Sequence, residues 1–248
     1  MQDKEENRVD WKDLLKFVWY YNLTDYVMKS VVSKVLGWIF YPLFAILFIF
    51  ELYRTALMVY NDYTYFYGLA IGMAVYFIVG LFMKKNKVWM QTFSHELTHT
   101  LVGMLFFRKI HSFTAGEGEG VITHSAQRVR YGSLMISLSP YFLPIFTIFL
   151  LLLRLIIDPE CLFGYDIAVG ITYAFHLSCF RAQTGSYQTD LQKHGLAFSY
   201  LVIITFHALV TSIVLMSIDT NLWPALKIYA VNCYNDIIWL INTISSLF

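Results

Sequence analysis

Residues 95–99 read His-Glu-Leu-Thr-His, in a chain of 248 residues that contains 7 histidines. In a helix, positions i and i+4 differ by about 40° in direction, so His95 and His99 share a face and can hold one ion between them. Glu96 lies about 100° further round, where its carboxylate reaches a water beside that ion without ligating it. This is the HExxH arrangement, in which two imidazoles bind zinc and the glutamate serves as general base. The alternative is that the two histidines are ordinary polar residues facing the interior of a helical bundle. Ionisable groups inside apolar segments are costly and usually functional, which favours the metal.

A hydrolytic zinc site takes three protein ligands and leaves a position for water, so a third ligand must come from elsewhere. The candidates are Asp190, His176, His124, Glu117 and Glu119. Asp190 sits in the polar run 181–195, RAQTGSYQTDLQKHG, among Gln183, Thr184, Gln188 and Thr189, which could orient a carboxylate through hydrogen bonds. Read locally, it could equally be a loop or helix-capping aspartate. His176 and His207 lie inside apolar stretches, where a lone histidine more often bonds a neighbouring helix than a metal.

The elements that must hold these residues are apolar. The chain is 58% hydrophobic and 18% aromatic with only 14% charged residues, and its mean hydropathy is +0.55. A water-soluble domain of this length would carry far more charge. The formal net charge of +1 gives no case for a nucleic-acid partner. Cys161, Cys179 and Cys233 are far apart without metal-ligand spacing, and read as small buried hydrophobes. Six strong apolar segments run over residues 35–50 (extending to 60 past Glu51 and Arg54), 65–83, 88–107, 131–157, 162–180 and 196–217. Each approaches the roughly 20 residues that cross hydrocarbon as a helix. The third carries the histidine motif, and the fourth contains Pro140 and Pro144. The last stretch, 222–248, includes Lys227, Asn232, Asn235 and Asp236, which suits the membrane interface better than a span. These segments predict an all-α integral membrane protein of about six transmembrane helices.

Residues 1–34 are charged and lack a signal-peptide pattern; Trp11, Leu14, Leu15 and Val18 suit the buried side of an interfacial amphipathic helix. Residues 35–248 then form one membrane-embedded domain. Between the third and fourth segments, residues 111–124 read HSFTAGEGEGVITH, which predicts a short β-hairpin after the metal-binding helix. A strand edge at membrane depth is tolerated where it is paired or lines a cavity, and an extended substrate could supply the pairing. Basic clusters stand on both sides of the motif segment, Lys84, Lys85 and Lys87 before it and Arg108, Lys109, Arg128 and Arg130 after it. Strict alternation cannot put both on the cytoplasmic side.

Over residues 88–200 the sequence resembles the site-2-protease-like intramembrane zinc metallopeptidases, in particular small bacterial members without a PDZ domain. The resemblance is carried by HELTH, by the glycine-containing hairpin ending near GVITHS, by the segment ISLSPYFLP and by the later polar aspartate. It implies that His95 and His99 are metal ligands, that Glu96 is the catalytic glutamate and that Asp190 is the aspartate ligand. The family commonly presents that aspartate before a glycine; here Gln188-Thr189-Asp190-Leu191 has none directly following. It further implies a zinc cofactor, a location in the bacterial cytoplasmic membrane, and an active site towards the cytoplasmic face.

The expected function is therefore hydrolysis of peptide bonds of membrane proteins or peptides in or near the lipid bilayer, with zinc as Lewis acid and Glu96 as proton acceptor. Such chemistry also needs a donor for the oxyanion, and no residue type or spacing marks one. The rival from another class is a catalytically inactive, protease-like membrane scaffold or partner-binding protein. A di-iron hydroxylase would need several histidine boxes, and no inverted repeat suggests a transporter.

Overall fold

The computed structural model describes residues 11–82, 84–108, 110–116, 120–124 and 133–246. The chain divides into two compact units, Met1–Leu43 and Phe44–Phe248. In the first, helix α1 (Trp11–Asn61) begins; its residues from Phe44 onward belong to the second.

The second unit is mostly helical. After α1 come α2 (Tyr67–Gly80), α3 (Lys84–Leu105), the strands β1 (Ile110–Ala115) and β2 (Gly120–His124), and α4 (Ser133–Phe142). They are followed by α5 (Ile145–Leu153), α6 (Leu162–Gln183), α7 (Thr189–His194), α8 (Leu196–Thr220) and α9 (Leu222–Ser245). The two strands pair antiparallel, with Ala115 opposite Gly120 and Ile110 opposite His124, and an irregularity between Ile110 and Ser112. Both pack against α3.

Among the described residues, three helices are long and apolar enough to cross a membrane: Val35–Asn61, Tyr63–Gly80 and Leu196–Thr220. A fourth span results if the bent pair Ser133–Phe142 and Ile145–Ile156 is taken as one. This corrects the expectation of about six transmembrane helices, and the reason lies in the polar residues. Helix α3 carries Gln91, Thr92, His95, Glu96, Thr98 and His99; α6 carries Asp166, His176 and Arg181; α9 carries Lys227, Asn232, Asn235 and Asp236. The fourth segment is also not one straight helix. Pro144 has no N–H to continue the ladder, and the chain bends by 78° between α4 and α5.

The polar side chains inside these helices are paired with one another. Glu51 is 1% exposed; it accepts from Arg54 at 2.7 Å and from Asn232 Nδ2 at 3.2 Å. Arg54 in turn donates to Asp236 at 2.7 Å. The charges that interrupt the first apolar segment therefore bind those that interrupt the last. Arg154, at the end of α5, makes a second buried cluster. It donates to both carboxylate oxygens of Asp166 on α6 (3.1 and 3.4 Å) and to Asn221 Oδ1 (2.5 Å). It also reaches the Ser217 and Ile218 carbonyls (3.0 and 2.7 Å) in the last turns of α8, the first of which already accepts the Asn221 N–H at 3.0 Å.

Helices α2 and α6 meet through glycines. A Cβ on Gly72 of α2 would overlap the Ile167 carbonyl oxygen of α6, and one on Gly170 of α6 would overlap the Leu69 carbonyl oxygen of α2. Gly68 and Gly72 are four residues apart, the small-residue spacing that lets helix backbones touch. Leu69, Val169 and Tyr173 fill the core beside this contact, with Leu151 and Val214. Of the cysteines, Cys179 is buried as expected, but Cys161 is exposed. It lies in the turn before α6 rather than within a packed helix face.

Replacing Arg154 with Leu leaves Asp166 and the helix-terminal Ile218 carbonyl without the guanidinium that answers them. The expected loss is about 3–5 kcal/mol of unfolding free energy, read as a lowered midpoint in thermal unfolding of the detergent-solubilised protein. Arg154→Leu combined with Asp166→Leu should recover part of it, because the uncompensated carboxylate is then gone.

Candidate metal centre

Helix α3 presents His95 and His99 one turn apart on a buried face, with 9% and 8% of their surface exposed. The helix tolerates its polar residues because their side chains bond its own backbone: Thr98 to the Ser94 carbonyl at 2.8 Å and Thr100 to the Glu96 carbonyl at 2.9 Å. Gln91 Nε2 ties it to α6 through Ser178 Oγ at 3.1 Å.

The third residue arrives from 91 positions further along. Asp190 stands in the first turn of α7, a six-residue helix beginning after Gln188. Neighbouring Leu191 is fully buried, and its carbonyl accepts from Ser199 Oγ of α8 at 2.9 Å. Lys193 Nζ donates to Ser137 Oγ of α4 at 3.2 Å. At Gly195 the backbone takes φ +88°, a conformation glycine adopts without strain, and the chain turns into α8. Short as it is, α7 is thus held on both sides.

One ligand atom each from His95, His99 and Asp190 lies within 4.8 Å of the others. His99 Nε2 is 3.1 Å from His95 Nε2 and 3.1 Å from Asp190 Oδ2; His95 Nε2 is 3.6 Å from the same oxygen. Ligands about 2.0–2.1 Å from a tetrahedral zinc lie about 3.3 Å from each other. The three atoms therefore stand close to a tetrahedral face, and the donor set of two imidazoles and a carboxylate is one that zinc takes. Burial alone would push the Asp190 carboxyl up, but the His95 and His99 imidazoles beside it outweigh burial and hold the group well below the usual carboxylate range. It is an anion at neutral pH.

The tautomer of His99 follows from its other nitrogen. Nδ1 lies 2.7 Å from the Ile136 carbonyl oxygen; a carbonyl only accepts, so Nδ1 carries the hydrogen. A neutral ring then turns the lone pair of Nε2 towards His95 and Asp190. Sequence explains why that carbonyl is available. In a helix, Ile136 would receive the N–H of residue 140, but residue 140 is Pro140 and has none. The proline in α4 frees an acceptor, and His99 uses it.

Glu96 is partly buried and lies within electrostatic reach of His95, His99 and Asp190 without joining their cluster. Tyr141, 1% exposed, sets its ring edge-on to His95 with centroids 5.3 Å apart. Of the other candidate ligands, His176 is not in the cluster; it packs against His207 across α6 and α8, ring centroids 5.6 Å apart. His124 ends β2, while Glu117 and Glu119 lie outside the described residues. Sequence reasoning missed the Ile136 carbonyl and Tyr141. Pro140 was the available signal for the first; a lone tyrosine in an apolar segment offers none for the second.

Three lone-pair-bearing atoms this close repel unless a positive centre sits among them. A proton shared between histidine and Asp190 meets that need, and so does a metal cation. No protein-family model, curated protein or solved structure matches this chain.

With zinc supplied to the purified protein, the expected zinc-to-protein ratio is near one in wild type and falls sharply in His95→Ala and in Asp190→Ala, by elemental analysis. Pro140→Ala restores the helical N–H that competes for the Ile136 carbonyl. It should weaken zinc binding by about tenfold, the lower end of what outer hydrogen bonds to a ligand contribute, in a chelator competition assay.

Proposed function

We propose that this chain is an integral membrane zinc metallopeptidase that hydrolyses peptide bonds of membrane proteins or peptides in or near the bilayer. The observation that carries the reading is the convergence of His95, His99 and Asp190 beside Glu96. The resemblance of residues 88–200 to site-2-protease-like enzymes supports the same assignment of His95, His99 and Asp190 as ligands and Glu96 as base. The membrane setting is supported by apolar surface that no part of the described chain covers. Helix Tyr63–Gly80 buries only 22% of its most apolar stretch, so lipid is its natural solvent. We assign it to a bacterial cytoplasmic membrane on the resemblance alone.

Bound between these residues, zinc would supply a Lewis acid that acidifies water and polarises a carbonyl. The chain's own groups do the rest. His99 is oriented by the Ile136 carbonyl, so its lone pair needs no reorganisation. Glu96 accepts the proton of the attacking water as the C–O bond forms, and delivers it to the amide nitrogen as the C–N bond breaks. A helical substrate shields its own carbonyls and must be extended first. The β1–β2 pair is a two-stranded sheet packed on the same helix as the histidines. Its outer edges, unpaired among the described residues, are where an extended substrate would add a strand.

The second reading, a non-proteolytic scaffold, rests on the same short contacts. His99 and Asp190 at 3.1 Å form an ion pair if the ring is protonated, and such a pair stabilises a fold without metal or catalysis.

The deciding experiment reconstitutes the zinc-loaded full chain in liposomes with membrane-spanning peptide substrates. Glu96→Gln should keep its zinc and lose about 10²–10⁴-fold in cleavage rate, followed by mass spectrometry of the products. Zinc-loaded wild type that cleaves no better than Glu96→Gln establishes the scaffold. Val121, which pairs with Thr114, gives the test of substrate pairing: Val121→Pro should depress cleavage while zinc stoichiometry stays unchanged. Undiminished cleavage in a folded Val121→Pro protein removes the hairpin from the mechanism.

A further inference from the structure

Some tyrosine hydroxyls inside this protein find acceptors, and three, those of Tyr76, Tyr141 and Tyr229, are buried with no hydrogen-bond partner among the described residues. Tyr165 donates to the Leu150 carbonyl at 2.7 Å, and Tyr173 to Thr211 at 2.8 Å. Tyr141 does not: its hydroxyl is buried and has no hydrogen-bond partner among the described residues. A phenol O–H taken from water and left unpaired is a standing loss unless something else accepts from it. This one is placed beside chemistry. Its ring lies edge-on to His95, and the side chain is within electrostatic reach of Asp190 and Glu96. Of the other donors near the cluster, Lys193 is engaged with Ser137 and His99 Nδ1 with the Ile136 carbonyl, while His95 Nδ1 is buried without a partner.

We propose that Tyr141 is a further catalytic residue, whose hydroxyl donates a hydrogen bond to the carbonyl oxygen of the scissile bond as negative charge develops there. The proposal rests on the hydrolytic reading of this site. In the addition step the water oxygen bonds to the carbonyl carbon, the carbonyl π pair moves onto its oxygen, and Glu96 takes the water's proton. In the collapse that pair returns, the C–N bond breaks, and the nitrogen leaves with the proton from Glu96. Tyr141 keeps its own proton throughout, donating a hydrogen bond that is strongest when the oxygen is most negative. A donor with no ground-state partner has none to lose on forming that bond, so its whole interaction appears in the transition state.

Tyr141→Phe removes only the hydroxyl and tests this in three measurements on the full chain. Thermal unfolding of the metal-free protein should not shift downward, since no bond made in the folded state is removed; a fall in the midpoint would mark a structural hydroxyl and overturn the proposal. Zinc stoichiometry should stay near one. Calorimetric affinity for a phosphinate peptide, whose tetrahedral anionic centre copies the addition product, should fall about 100-fold relative to wild type. In cleavage, kcat should fall with KM unchanged. Equal phosphinate affinity in Tyr141→Phe and a cleaving wild type overturns the tyrosine's role and leaves the hydrolase standing. A zinc-loaded wild type that neither binds the phosphinate nor cleaves overturns both.

Discussion

The contact between Asp190 and the paired histidines of α3 is the constraint around which the site is arranged. Three electron-pair donors within 4.8 Å are unstable company without a cation or a proton among them. Holding them there requires α3, α4 and α7 to be fixed against each other. Each is fixed by a different device: α3 by Gln91 on Ser178, α4 by the His99–Ile136 bond, and α7 by Leu191 and Lys193. The depressed ionisation of Asp190 is the electrostatic expression of the same arrangement. The two imidazoles beside the carboxylate outweigh its partial burial.

A second rule, that charge in an apolar helix must be answered by charge or by backbone dipoles, shapes the rest of the second unit. Glu51 and Arg54 interrupt one apolar run, Asn232 and Asp236 another, and the four form one network. Arg154 does the same between α5, α6 and α8, where it also bonds the Ile218 carbonyl in the last turn of α8. These residues make the segments look poorly suited to hydrocarbon when read singly. Paired, they become the attachments between helices.

Proline is used twice in α4 and its exit, with two separate effects. Pro144 ends a helix and produces a 78° bend, which separates the site-facing α4 from the more apolar α5. Pro140 leaves the helix running but withdraws one N–H, and the released carbonyl orients the His99 imidazole. Irregular backbone at such depth persists where it faces polar groups inside the protein, as it does here.

His95, Glu96 and His99 were legible from spacing alone, because a helix converts a separation of four into a shared face whatever surrounds it. The apolar composition likewise made helices the only economical way to satisfy the backbone, and the GEGEG run between β-prone flanks marked where helix would give way to strand. Asp190 could be ranked among five candidates by its polar neighbours but not chosen, since it lies 91 positions beyond His99 and only packing brings them to 3.1 Å. The number of spans was overestimated because segments such as 88–107 and 162–180 form helices whose polar and charged residues leave them less apolar than a span requires. The GxxxG contact of α2 with α6, the carbonyl freed by Pro140, and the unpaired hydroxyl of Tyr141 were decided by tertiary structure alone. Each depends on what a neighbouring element leaves open or fills, and that is a property of the packed chain.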